Sequence, residues 1–379
     1  MHTDDATRPL PVLRAMVDAL DRDMLQLIAR RMALVGEIAE YKREHGLRVR
    51  DQQRERTLLA DRARIARELG LPEGEIESIF RVLLRVSREH QSALRTEVPV
   101  AAEPRTVAII GGRGQMGALV AQMFADLGHR IIVADESTDT TPVDAARVAD
   151  VTIVSVPIDV TERVIREVGP HVREDALLLD VTSIKEAPVA AMLAATRGSV
   201  VGTHPMFGPN VHSLQGQRLV LCRARGDAWA DWLAAAFRAR GLTVTEATPE
   251  RHDRAMAVVQ VLTHFQTQVL GATLARLGMP LEETLAFTSP AYLLELYVAG
   301  RHFAQDPALY GPIEMLNAST GAVTTAFADA ARELAEVLAR QDRAAFAVMF
   351  DEVRAYFGEF TREAMDEAGF LIDRIVERG

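Results

Sequence analysis

The chain has 379 residues, 48% of them hydrophobic and 25% charged, with a net charge of −10. That is enough for two or three domains with sizeable cores, and it argues against general disorder, nucleic-acid binding and acidic membrane surfaces, so clustered arginines point to small-anion sites or helix surfaces. The lone Cys222, in the apolar run Leu219 to Cys222, excludes a disulfide framework and is expected to be a buried structural thiol; no metal site is expected. No stretch has the length of a membrane span or the core of a signal peptide, so a cytoplasmic location is expected.

Apolar residues recur at helical spacing from about Leu10 to His45, predicting one long helix. Asp51 is a candidate N-cap for a second helix to about Leu69, and the breakers Gly70 to Gly74 separate it from a third, about Glu75 to Arg95. Three such helices form a thin unit that leaves the long apolar stripe uncovered, so pairing with a second copy is expected. A linker over Thr96 to Arg105, with Pro99 and Pro104, ends this domain.

Beyond it the pattern alternates: strands at Val107 to Ile110, Ile131 to Ala134, Val151 to Val156, Ala176 to Asp180 and near Val200 and Leu219, separated mostly by helices. This predicts an α/β domain with a doubly wound parallel sheet. From Thr248-Pro249 onward only helices are expected: Arg251 to Leu277, Leu281 to Phe287, Ala291 to Phe303 and a long C-terminal pair. The layout is therefore multidomain, with a helical unit at 1–95, a linker at 96–105, a Rossmann domain at 106–247 and an all-α domain at 248–379. All-helical domains that follow a Rossmann dehydrogenase commonly pair two copies, which makes the last one a candidate dimer interface.

Gly112, Gly114 and Gly117 form a G-x-G-x-x-G turn between a strand and a helix that opens with Gln115 and Met116. Such a turn lets backbone amides and the helix dipole meet a pyrophosphate. Asp135 ends the next strand eighteen residues after Gly117, where a carboxylate accepts from ribose hydroxyls and repels a 2'-phosphate, pointing to NAD over NADP. Ser155, Val156 and Pro157 end the third strand near the nicotinamide side of the crevice. Two further strand ends, Asp180 to Lys185 and His204 to Pro209, bring polar side chains to the same edge. His204, in a loop stiffened by prolines, is the leading general-base candidate for oxidising a C–OH.

These motifs, with Glu250-Arg251-His252-Asp253 and Gly300 to Pro307, resemble the prephenate dehydrogenases. The resemblance implies NAD-dependent oxidative decarboxylation of prephenate to 4-hydroxyphenylpyruvate. His204 would polarise the substrate hydroxyl, Ser183 would hydrogen-bond both, Arg301 would hold a carboxylate, and Lys185 and His252 would lie near the substrate. One departure is Leu293, in a segment where relatives of the fused enterobacterial type carry arginine.

The N-terminal helices resemble the all-helical chorismate mutases through Leu13-Arg14, Ala29-Arg30-Arg31, Tyr41-Lys42, Val49 to Glu55, Ser87 and Gln91. The resemblance implies that Arg14, Arg31 and Arg54 hold carboxylates, Lys42 and Gln91 face the ether oxygen, and Glu55 and Asp51 meet the substrate hydroxyl, with Ser87 completing the site. Along one helix Arg31 and Lys42 fall within roughly 20° of each other, whereas Arg14 points roughly 100° away from Arg31 and would serve the same site from a partner chain. In the fused family the two reactions are consecutive steps toward tyrosine, which commonly inhibits the dehydrogenase. Two alternatives stay open: arogenate as the dehydrogenase substrate, and an N-terminal module that regulates without catalysing.

Overall fold

The computed structural model describes residues 8–45, 51–96, 104–211 and 213–376. Residues 97–103 of the expected linker and Val49-Arg50 of the N-terminal motif lie outside the described residues. Helix α1 (Leu10–Glu44) runs for 35 residues and is joined by α2 (Gln52–Glu68) and α3 (Glu73–Thr96). Asp51 caps α2, its carboxylate accepting from the Arg54 amide at 2.9 Å. Only the later part of α1 finds a core, where Val35 and Ala39 are buried with Ala66, Ser87 and Gln91. Leu13, Val17, Leu20, Met24 and Leu27 remain 38–62% exposed, the uncovered stripe that the spacing predicts.

The middle of the chain alternates β1 (Thr106–Ile110), α4 (Gln115–Ala125), β2 (Arg130–Ala134), α5 (Pro142–Val148), β3 (Val151–Val154), α6 (Ile158–Val168), β4 (Leu177–Asp180), α7 (Glu186–Ala195) and β5 (Ser199–Pro205). It ends with β6 (Arg218–Arg225), α8 (Asp227–Ala239) and β7 (Thr243–Glu246). The sheet order is β2-β1-β3-β4-β5-β6-β7. Strands β1 to β5 are parallel, and β1, β3 and β4 carry almost wholly buried residues, as a sheet covered on both faces requires.

The expectation of an all-parallel sheet needs correction at β6, which runs antiparallel to β5. Among the described residues the connection between them contains no helix, and without a crossover a chain returns to its neighbour in the opposite direction. Helix α8 then supplies a crossover, so β7 lies parallel to β6. This edge strand was absent from the sequence reading because Thr-Val-Thr-Glu is short, polar on alternate positions and mostly exposed. Cys222 is fully buried in β6, where burial pushes its thiol up to about 12.

The last part is all helical: α9 (Pro249–Met256), a π-helical segment (Ala257–Leu262), α10 (Thr263–Leu277), α11 (Leu281–Ala286), α12 (Pro290–Phe303), α13 (Pro307–Met315), α14 (Thr320–Ala339), α15 (Arg343–Phe357) and α16 (Phe360–Val376). Thr248 caps α9 by accepting from the Arg251 amide. The single helix expected over Arg251 to Leu277 is therefore interrupted, and the expected C-terminal pair is three helices. Asp342 caps α15, and Gly358, at φ +53, separates it from α16.

Candidate active site

Strand β1 ends in a turn at Gly111, whose φ of +81 favours glycine and where a Cβ would lie 2.3 Å from the Ser155 carbonyl oxygen. The positive-φ position thus falls one residue before the first glycine of the fingerprint. A Cβ on Gly117 would in turn lie 2.3 Å from the Gly111 carbonyl oxygen, so helix and strand close on each other there. Gly114 is the N-cap of α4 and offers no side-chain cap, leaving the amides of Gln115, Met116 and Gly117 for an anion. Asp135 follows β2, its carboxylate accepting from the Arg113 amide at 3.1 Å and the Glu136 amide at 2.9 Å. Ser155, Val156 and Pro157 follow β3, the strand next to β1, so both sides of the crevice fit a dinucleotide.

At the end of β5 sits His204, 2% exposed. Its Nδ1 lies 2.9 Å from Nε2 of His252, and its Nε2 lies 3.4 Å from the amide nitrogen of Gln260. Burial, then the neighbouring His252 and the Lys185 ammonium, hold His204 well below the usual histidine range, which keeps it neutral and able to accept a proton. His252, also 2% exposed, has its Nδ1 2.7 Å from a carboxylate oxygen of Asp253. Gln260 reaches this place from the π-helical segment, and its Oε1 is buried without a partner among the described residues.

Ser183 and Lys185 lie on the segment between β4 and α7, and β4 is the strand paired with β5. Ser183 is half-buried and makes no hydrogen bond to His204 among the described residues. Lys185 is 0% exposed; its ammonium is held by the Asp180 carboxylate and donates to the Thr203 carbonyl oxygen at 2.7 Å. It therefore supports the strand end that carries His204 and leaves no surface for a substrate.

A second polar cluster, unforeseen from the sequence, lies among α10, α12 and α13. Gln268 donates to Glu314 at 2.8 Å, His302 stacks on Tyr310 at 4.0 Å between ring centres, and His264 packs edge-on to Tyr310 at 4.7 Å. Burial, with His302 close by, lowers His264 to about 4, and burial raises Glu314. Arg301 is exposed on α12, near enough to influence Tyr310, and makes no ion pair among the described residues. The spacing Gln260, His264, Gln268 is four residues each time, one helix face, and was the available signal.

In the N-terminal helices, Arg31 of α1 donates to the Ser87 hydroxyl of α3 at 2.6 Å, and Arg88 pairs with Glu55 at 2.8 Å. Burial first, then the charge of Arg62, lowers Arg31. Gln91 is 7% exposed and its Oε1 is buried without a partner among the described residues. Lys42 is half-buried on the same α1. Arg31, Glu55, Ser87 and Gln91 are thus brought to one interior, while Arg14 and Arg54 are exposed and Asp51 serves as a helix cap. The sequence reading missed Arg88, which also lines a cleft of about 480 Å³ between α3 and the β5–β6 connection, with Arg85, Asn210, Ser213 and Gln217.

Three family models match in chain order: chorismate mutase type II over residues 13–92, the prephenate dehydrogenase nucleotide-binding domain over 117–245 and the prephenate dehydrogenase dimerization domain over 248–352. The chain is 36% identical to the T-protein of Enterobacter agglomerans, covering 96% of this chain and 97% of that protein. It is 33% identical to the T-protein of Haemophilus influenzae, covering 96% of each. The fold resembles that of prephenate dehydrogenase from A. aeolicus in complex with hydroxyphenyl propionate and NAD+, with a TM-score of 0.56 and 20% identity, covering 68% of this chain and 98% of that one. A mutase-type helical unit with gathered cations, a dinucleotide crevice with a buried histidine at its edge, and a full-length match above 30% identity lead to one conclusion: the chain belongs to the T-protein family, in which a chorismate mutase is joined to a prephenate dehydrogenase.

Proposed function

We propose that the chain rearranges chorismate to prephenate in its N-terminal helices and then oxidises and decarboxylates prephenate with NAD, giving 4-hydroxyphenylpyruvate, carbon dioxide and NADH. The observation that carries this reading is the presence of both chemistries in one chain: Arg31 and Ser87 joined at 2.6 Å beside buried Gln91, and the buried, neutral His204 at the edge of the glycine-turn sheet. The working divisions are 1–95 for the mutase, 96–105 for the linker, 106–247 for the nucleotide-binding domain and 248–379 for the substrate and dimerisation domain.

The mutase reaction needs no covalent help, only cations for two carboxylates and donors for the breaking ether bond. Arg31 and Arg54, with Arg14 from a partner chain, take the carboxylates; Lys42 and Gln91 face the ether oxygen; Glu55 and Asp51 face the hydroxyl, and Ser87 orients Arg31. For the second reaction, the glycine turn at Gly112 to Gly117 and Asp135 would hold NAD, which would supply the acceptor for the hydride of the ring carbon that carries the hydroxyl. His204 takes the hydroxyl proton through Nε2 and returns it to the same oxygen as carbon dioxide leaves and the ring becomes aromatic, so the protons balance. Arg301 is free to grip a substrate carboxylate bidentately. Tyrosine has the phenol of the product and an amino-acid carboxylate, so the same groups suit it as an inhibitor.

A homodimer completes this reading. The stripe on α1 and the apolar residues of the helical domain, among them Phe287 at 86%, Met315 at 82% and Tyr356 at 87% exposure, form faces that a second copy would cover. No described helix is long and apolar enough to cross a membrane; a cytoplasmic location suits substrates and a cofactor that are small soluble anions. The deciding assay supplies chorismate and NAD to the purified chain and follows NADH at its absorbance. Absence of NADH from chorismate, with prephenate turned over normally, removes the mutase; absence from both removes the whole reading.

A further inference from the structure

A line of hydrogen-bonding groups runs from His204 into the interior, and the reaction described above uses only its near end. At the far end Asp253 is 5% exposed and accepts on both carboxylate oxygens, from the Lys185 amide at 2.7 Å and the Glu186 amide at 2.9 Å. Its carbonyl oxygen accepts from the Asn317 side chain at 2.8 Å, so the start of α7 and the α13–α14 connection hold the residue from two sides. An ionised carboxylate only accepts; the His252 Nδ1 that lies 2.7 Å from it must therefore carry a proton. In its neutral form an imidazole so arranged has Nε2 as its acceptor, and His252 is taken in that form. That nitrogen lies 2.9 Å from His204 Nδ1, which must then be the protonated nitrogen of His204. The lone pair of His204 is left on Nε2, the nitrogen that faces the Gln260 amide donor at 3.4 Å.

We propose that Asp253 is a positioning residue of the dehydrogenase which, through His252, fixes His204 in the Nδ1-protonated tautomer so that Nε2 is presented to the substrate hydroxyl. The inference rests on the assignment of His204 as the base. The two imidazoles meet edge to face, with planes 69° apart, and His204 Nδ1 lies within hydrogen-bond distance of His252 Nε2. When Nε2 takes the hydroxyl proton, the imidazolium keeps its Nδ1–H on His252, whose own proton stays on the carboxylate side. No bond to Asp253 forms or breaks. The returning step, protonation of the phenolate oxygen as carbon dioxide leaves, uses the same Nε2 and needs no ring flip. Without the carboxylate, His252 would be free to donate from Nε2, which forces the proton of His204 onto its substrate-facing nitrogen and blocks it as a base.

Two measurements on the full-length protein test this. In wild type labelled with 15N-histidine, with His204 resonances assigned by their loss in His204→Asn, the expected pattern is a protonated Nδ1 and an unprotonated Nε2; the opposite tautomer overturns the proposal. In Asp253→Asn the dehydrogenase kcat is expected to fall by up to about 10⁴-fold, the loss seen when the orienting carboxylate of a catalytic histidine is replaced by its amide. The KM for prephenate, the affinity for NAD and the mutase rate should stay near wild type. A kcat that survives, or a rise in KM with kcat unchanged, overturns the proposal; should the variant fail to fold, the wild-type spectrum decides alone. A His204→Asn protein that still turns over prephenate would instead reject the base assignment itself, whereas a dead His204→Asn beside an active Asp253→Asn rejects only the role of Asp253.

Discussion

Replacing Lys185 with methionine separates two roles that the sequence motif leaves merged. By resemblance Lys185 lies near the substrate; in the structure it is 0% exposed and pairs with Asp180, also 0% exposed. Methionine keeps most of the stem and removes the charge, leaving Asp180 with the Thr182 amide and hydroxyl as donors and with an Oδ1 that already lacks a partner among the described residues. Breaking one partner of a buried pair costs about 3–5 kcal/mol because the remaining charge is uncompensated. For a domain of about 150 residues each kcal/mol shifts the melting temperature by about 2–4 °C, so a drop of about 6–20 °C is expected. Calorimetry should find the loss in the nucleotide-binding transition, and Asp180→Asn in the same chain should recover part of it. The Thr203 carbonyl also loses its donor, so the neighbouring His204 should be less well placed and kcat should fall together with stability. An unchanged melting temperature with a raised KM for prephenate would refute this reasoning and return Lys185 to the substrate site.

Gly117→Ala places a methyl 2.3 Å from the Gly111 carbonyl oxygen, so NAD affinity measured by fluorescence should fall at least about tenfold, while the mutase rate is unaffected. Mixing Arg14→Ala with Arg31→Ala chains, each inactive alone as a mutase, should restore about a quarter of wild-type activity if sites form across a two-fold interface, and nothing if each chain builds its own site. Lowering the pH from 6.5 toward 4 should destabilise the helical domain: His264 stays neutral down to about 4 when folded but takes a proton near 6.5 when unfolded, so its contribution is present above 6.5 and lost on the way down. Glu314, raised by burial, offsets part of this, and denaturant melts of His264→Gln at several pH values should show a flatter slope than wild type. Relative kcat/KM for prephenate and arogenate tests substrate choice, with prephenate expected to be preferred.

The parts legible in the sequence are those where one local pattern has one physical solution. The glycine turn could be placed because only glycine tolerates the 2.3 Å approaches at its edges, and the α2 cap because an aspartate before a helical run has an amide to accept from. The uncovered stripe of α1 followed from counting a helix that two shorter neighbours could not cover. What stayed hidden depends on contacts between distant segments. Lys185, Asp253 and Ser183 stand in motifs that the resemblance puts near the chemistry, but a motif does not say which side chain turns inward. Lys185 turns toward Asp180 and Asp253 toward the α7 amides, so a charge expected near the substrate and one with no expected role both support the strand end of His204 and the ring of His252. The π-helical segment adds a further shift: one residue beyond an α-turn changes the face presented by everything around it, and it is there that Gln260 reaches His204. A dehydrogenase histidine can thus be picked from a strand end, whereas its tautomer, and hence its competence as a base, is set by residues 48 and 49 positions later.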